Sequence, residues 1–124
     1  MPPPEFLPET INKVFKEGAS CLSISCWNAA GTMFRQCLDI ATKSLIPEDG
    51  VENLKSSQRN NLGPRIKWLI EEKRIPKELE ELATCIRQDG NDGAHDGTLG
   101  ETDAMDLLDF TVHLLECLYT RHKN

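Results

Sequence analysis

The sequence predicts an all-α fold, a bundle of about five helices. Three observations carry this. Apolar residues recur at three- and four-residue spacing in several separate stretches. Pro8, Pro64 and Pro76 each stand where a helix is set to begin, a position proline tolerates. No segment alternates apolar and polar residues between hairpin turns, as strands would.

Residues 1–9, with Pro2, Pro3 and Pro4, read as an extended lead-in, and residues 10–124 as a single domain. The first helix should run from about Pro8 to about Leu22, with Ile11, Val14, Phe15 and Ala19 on its inner face and Gly18 weakening it slightly. A break is expected near residue 24, with Ser25 capping the second helix. That helix, Cys26 to Ala41, carries apolar residues on more than one face and should be central and largely buried. Its small residues Ala29, Ala30 and Gly31 admit a close neighbour. Arg35 and Asp39 are four residues apart, and an ion pair between them is favoured over a shared role in lining a site.

Residues 46–61 read as a long polar loop with one short helical turn at 51–57. The third helix spans about 63–72, with Leu62, Ile66, Leu69 and Ile70 as its stripe and Trp68 off it, against a neighbour or at an interface. The fourth starts at Pro76, buries Leu79, Leu82, Ala83 and Ile86, and ends at Asp89-Gly90. The last runs from about 101–103 to about Tyr119. Thr98 or Thr102 should cap it, Thr98 with Glu101 matching a capping box.

Bulk properties narrow the function classes. With 39% apolar and 27% charged residues, the 124-residue chain fits a globular domain. It has neither a run of about 20 apolar residues nor the basic start of a signal peptide, so a cytoplasmic protein with no membrane contact is expected. The five cysteines form no CxxC pair and read as small buried thiols in a reducing compartment. A net charge of −6 opposes indiscriminate nucleic-acid binding. That charge is uneven. Residues 59–77 hold six basic side chains against two acids, and residues 78–109 hold ten acids against Arg87. Solvated helix faces explain this most simply; head-to-tail self-association or a local phosphate patch is the sharper reading.

One turn concentrates the chemistry: Arg87-Gln88-Asp89-Gly90-Asn91-Asp92-Gly93-Ala94-His95. Arg87 closes a helix, Asn91 can bond local backbone, and His95 comes last. An Arg–His pair suits phosphate chemistry, His moving protons and Arg stabilising charge on oxygen. It equally suits a structural clasp, which ranks first on residue chemistry alone. An EF-hand is excluded by Ala94 and Gly100 at its required Gly and Glu positions. Phosphate-binding glycine loops are excluded because no strand precedes the glycines. No cofactor and no metal are expected.

The segment from Ile86 to His95, with the helix from Thr102 through Phe110 and Tyr119, resembles a widespread prokaryotic family of unknown function with the pattern IRxxGNxAAH. Ala29-Ala30 through Phe34-Arg35-Gln36-Cys37-Leu38-Asp39 is similar to that family's AAxxLRRxLE helix. Leu62-Gly63-Pro64-Arg65-Ile66 with Ile75-Pro76 is similar to its LxxRI…IP segment. Members stand alone or are appended to restriction-enzyme or helicase subunits. The resemblance extends to the HEPN superfamily of helical, often dimeric, nucleic-acid-associated modules. It implies a HEPN-like helical bundle and a homodimer. It also implies an RNA, nucleotide or protein partner in nucleic-acid processing or defence. On this reading the binding residues are Arg35, Asn91 and Asp39. The alternative is a metal-independent ribonuclease, with His95 and Arg87 as the catalytic pair across a dimer interface. Catalytic HEPN members separate Arg from His by fewer than the seven residues found here, and Gly90 precedes Asn91 in place of Arg. A non-catalytic binding or accessory module is therefore the expected function.

Overall fold

A computed structural model describes residues 2–47, 53–81, 83–84, 86 and 98–121. Among them every regular element is helical: α1 (Glu9–Ser23), α2 (Trp27–Lys43), the short α3 (Ser56–Asn60), α4 (Leu62–Glu71), a 3-10 turn (Lys77–Leu79), α5 (Glu101–Leu115) and a π-helical turn (Glu116–Thr120) that prolongs α5. The fold is all-α, as expected. None of these helices is long and apolar enough to cross a membrane.

α1 and α2 form an antiparallel pair. Cys37 reaches Ile11, while Phe34 and Met33 meet Gly18, so position rises along one helix as it falls along the other. Phe15 and Phe34 lock the pair with tilted rings 5.5 Å apart, a geometry that puts ring edge towards ring face. Gly18 does more here than weaken a helix. A Cβ on it would stand 2.7 Å from a Phe34 ring carbon, so its missing side chain sets the helix spacing. α5 lies on the other edge of α2 and runs parallel to it, Leu99 meeting Asn28 and Gly31, and Thr111 meeting Phe34. α2 is thus central in packing, but it buries one broad stripe, including Ala30, Phe34, Cys37, Leu38 and Ala41. Asn28, Thr32 and Gln36 stay exposed, so α2 keeps one face in solvent while most of its residues are buried or half-buried.

The break near residue 24 stands where expected, with a different device. Cys26 N–H bonds Cys21 O at 2.8 Å and Ser25 N–H bonds Leu22 O at 3.0 Å, the paired bonds of a Schellman ending. Ser25 takes the left-handed position (φ 61°) usually held by glycine and does not cap α2, whose N-cap is Cys26. α4 ends the same way. Arg74 N–H bonds Leu69 O, Lys73 N–H bonds Ile70 O, and Lys73 sits at φ 60°.

Three other boundaries shift. The short helix of the long loop falls at 56–60 instead of 51–57, where Gln58 accepts from the Lys55 N–H at 2.8 Å. The chain after Pro76 opens as a 3-10 turn before helical backbone at Glu80, Glu81, Ala83, Thr84 and Ile86. α5 starts at Gly100, whose N–H donates to Asp103 Oδ2 at 2.8 Å; neither Thr98 nor Thr102 is the N-cap. At its far end Thr120 Oγ1 donates to Glu5 O at 2.8 Å, and Leu7 packs on the core, which ties down the N-terminal lead-in.

Candidate functional site

Arg87, Asn91 and His95 lie outside the described residues, as do Asp89–Gly97 around them. The flanks of that turn are described. Ile86 is buried in the core. Leu99 is fixed on the first turns of α2, its N–H donating to Asn28 Oδ1 at 2.9 Å and its side chain covering Gly31. Arg35 lies one helical turn beyond Gly31 on the same face of α2, half-buried. Among the described residues it has no ion-pair partner.

Asp39 does not pair with Arg35. Its Oδ1 accepts from Arg65 Nη1 at 2.8 Å and its Oδ2 faces Lys43 Nζ at 3.0 Å. Partial burial alone would raise its pKa, but the hydrogen bonds and charges of Arg65 and Lys43 outweigh this and hold the carboxyl below its usual value. The reason for the exchange is burial. The Arg65 side chain is 0% exposed and must be neutralised, whereas Arg35 still reaches water. Arg65 Nε and Nη2 both donate to Arg59 O (3.1 and 2.9 Å), and Nη1 also reaches Thr42 Oγ1 at 3.1 Å. Thr42 Oγ1–H in turn donates to Leu38 O at 2.7 Å. One buried guanidinium therefore joins α2, the end of α3 and α4. The sequence carried a signal for it: Arg65 stands within the apolar Leu62–Leu69 stretch, one turn before Leu69.

Trp68 lies beneath the same connection. It is buried, its indole N–H donates to Asn53 O at 3.1 Å, and the Arg74 guanidinium lies 5.8 Å from the ring centre.

A concavity lies elsewhere, among the described residues. A groove of about 490 Å³ runs between α4 and the chain after Lys73. Its apolar floor is Ile70, Ile75, Pro76 and Ala83. Lys67, Lys73 and Lys77 stand on its rim, exposed, with Glu71 and Glu80. The fold makes this groove from a contiguous basic stretch. Lys73's left-handed turn reverses the chain, so Lys77 comes back opposite Lys67. Such a groove can hold an apolar body and compensate negative charge at its edge. The basic run was visible in the sequence; the concavity was not. A smaller groove of about 210 Å³ on the opposite side of Pro76 is lined by Glu78, Leu79, His113, Cys117 and Arg121. His113 is engaged within α5, its Nδ1 2.7 Å from Asp109 O and 3.4 Å from Asp109 Oδ1.

Among the described residues no three His, Cys, Asp or Glu side chains converge as a metal site. Of the four described cysteines only Cys37 is buried; Cys26 is exposed, and Cys21 and Cys117 are half-buried, so the expected small buried thiols are met fully at Cys37 alone. Burial pushes the Cys37 thiol up to about 12.

No curated protein matches the chain, and no solved structure does. Residues 16–124 match a family described as a domain of unknown function, DUF4145. That match spans all the elements from the middle of α1 onward, and the chain belongs to this family.

Proposed function

We propose that the chain is a non-catalytic binding module, HEPN-like in its helical scaffold, that takes an anionic ligand, RNA or a nucleotide, in the lysine-rimmed groove beside α4. A cytoplasmic nucleic-acid-processing or defence setting fits that ligand. The observation that carries the reading is the convergence of Lys67, Lys73 and Lys77 on an apolar-floored concavity in a chain whose net charge is −6. Against that background, three cations on one groove mark a local site for negative charge. The resemblance adds Arg35, Arg87, Asn91 and His95 as a second candidate set on this reading; of these Arg35 stands on the α2 face that receives Leu99.

Binding of labelled single-stranded RNA and of nucleotides, followed by fluorescence anisotropy across a salt series, tests this. Three phosphate contacts predict a slope of log K against log salt near about −2 for single strands. Lys67→Glu with Lys77→Glu should abolish binding. Absence of binding at low salt, or binding indifferent to those two substitutions, sinks the proposal. RNA cleavage that disappears in His95→Ala and Arg87→Ala would replace it with the ribonuclease reading.

A further inference from the structure

The groove has a counterpart on this same chain. The outer face of α5 presents Glu101, Met105 and Asp109 in one row, four residues apart, with Thr102 and Asp106 beside them, all exposed. Met105 is 46% exposed, one of three large apolar side chains left in solvent among the described residues, and it sits in the middle of this acidic stripe. A helix rises about 1.5 Å per residue, so the stripe from Glu101 to Asp109 is about 12 Å long. The groove wall on α4, from Gly63 through Lys67 to Glu71, covers the same eight-residue span and the same length.

We propose that the groove beside α4 receives the acidic stripe of α5 from a second copy of this chain. Met105 enters over Ile70 and Ile75, an adaptable side chain suited to an irregular apolar floor. Asp106 and Asp109 meet Lys67 and Lys77 on the rim. Glu71 and Glu80 offset part of the groove's charge; the three lining lysines, Lys67, Lys73 and Lys77, leave the rim net positive. Groove and stripe are different surfaces, so the contact is heterologous. It goes beyond the proposed ligand site in that the same lysines serve two anionic occupants, and a phosphate ligand displaces the neighbouring copy.

Sedimentation velocity of the full chain over a wide concentration range, at low and high salt, tests this. The wild type should self-associate reversibly, and less so at high salt. Lys67→Glu/Lys77→Glu and, separately, Asp106→Lys/Asp109→Lys should each weaken association by about tenfold or more, because two attractive pairs become repulsive. The chain with all four substitutions should regain it, since its groove and stripe are again complementary. Asp106→Lys/Asp109→Lys leaves the groove intact and must retain any RNA or nucleotide binding, so loss of that binding alone sinks only the ligand reading. A wild type monomeric at every concentration and salt overturns the self-association, as does a four-fold variant that is folded by circular dichroism yet fails to recover.

Discussion

Arg65 is the side chain whose loss the fold should feel most. In Arg65→Ala the Arg59 carbonyl loses both donors at once. An acceptor stranded in a partly buried site costs about 1–3 kcal/mol. The removed stem leaves a void where the side chain was 0% exposed, and large-to-small changes in such places cost about 2–5 kcal/mol. Asp39 adds little, because it keeps Lys43 at 3.0 Å and is 38% exposed; exposed pairs are worth about 0–1 kcal/mol. These contributions overlap, and breaking a buried ion pair from one side typically costs about 3–5 kcal/mol. We expect about that loss, a large share of the roughly 5–15 kcal/mol that holds such a domain together. Arg65→Met keeps most of the volume and should lose about 1–3 kcal/mol, the stranded carbonyl alone. Urea unfolding followed by circular dichroism measures both, the midpoint moving while the slope holds. A double-mutant cycle of Arg65→Met with Asp39→Asn should show coupling, whereas Arg35→Ala with Asp39→Asn should add to within about 0.5 kcal/mol. A loss below about 1 kcal/mol for Arg65→Ala, or coupling to Arg35 in place of Arg65, would refute the Arg65 connection between α2, α3 and α4.

Four more expectations can be checked on the same preparations. Gly18→Ala drives a Cβ into a Phe34 ring that has nowhere to go and should cost about 1–3 kcal/mol in urea melts; Gly31→Ala is pressed by the flexible end of Leu99, 2.6 Å away, with Leu107 Cδ1 at an ordinary 3.4 Å, and should cost less. Ser25→Gly relieves a left-handed serine and should raise stability by about 0.5–1 kcal/mol, the relief exceeding glycine's extra unfolded entropy; a lowered midpoint contradicts the Schellman assignment. Because the folded pKa of Asp39 is depressed, its contribution is complete above the ordinary carboxylate value of about 3.9 and is lost as pH falls through the folded value. Asp39→Asn should therefore flatten the acid limb of stability against pH, and an unchanged limb counts against the pairing. A thiol reagent at mildly alkaline pH should label Cys26 rapidly and Cys37 only on unfolding, as mass spectrometry of the labelled peptides will reveal.

Helix positions were legible because burial leaves a period in the sequence. Ile11, Val14 and Phe15 mark α1, and Leu107, Leu108 and Leu115 mark α5. The misreadings share a cause: a local rule met by an unusual residue. Arg65 is a cation on a buried face, and apolar periodicity counts it as surface. Ser25 and Lys73 end helices where glycine is the ordinary signal, so their left-handed turns left no trace. Gly100 starts α5 through the Asp103 carboxylate, although a threonine on either side is the more usual cap. Spacing offers Asp39 two cations of its own helix at four residues, Arg35 and Lys43; Lys43 takes it, and its buried partner Arg65 is 26 residues away, beyond the reach of any spacing rule. The basic groove was half legible. Its charge could be counted along the chain, but its shape depends on the reversal at Lys73. The Arg87–His95 turn, the most distinctive stretch of the sequence, lies outside the described residues.

The way Arg65 grips residue 59 bears on how this fold can drift. The atom it holds is a main-chain oxygen. Every amino acid supplies that atom, so this contact leaves the side chain at position 59 free to change while its place in space is held. The information for the joint is written at one site of the pair only. Statistical coupling between columns of related sequences should therefore link position 65 with 39 and 42 and be silent about 59. A contact map inferred from such coupling would leave the end of α3 unattached, although it is among the most firmly bonded points of the connection.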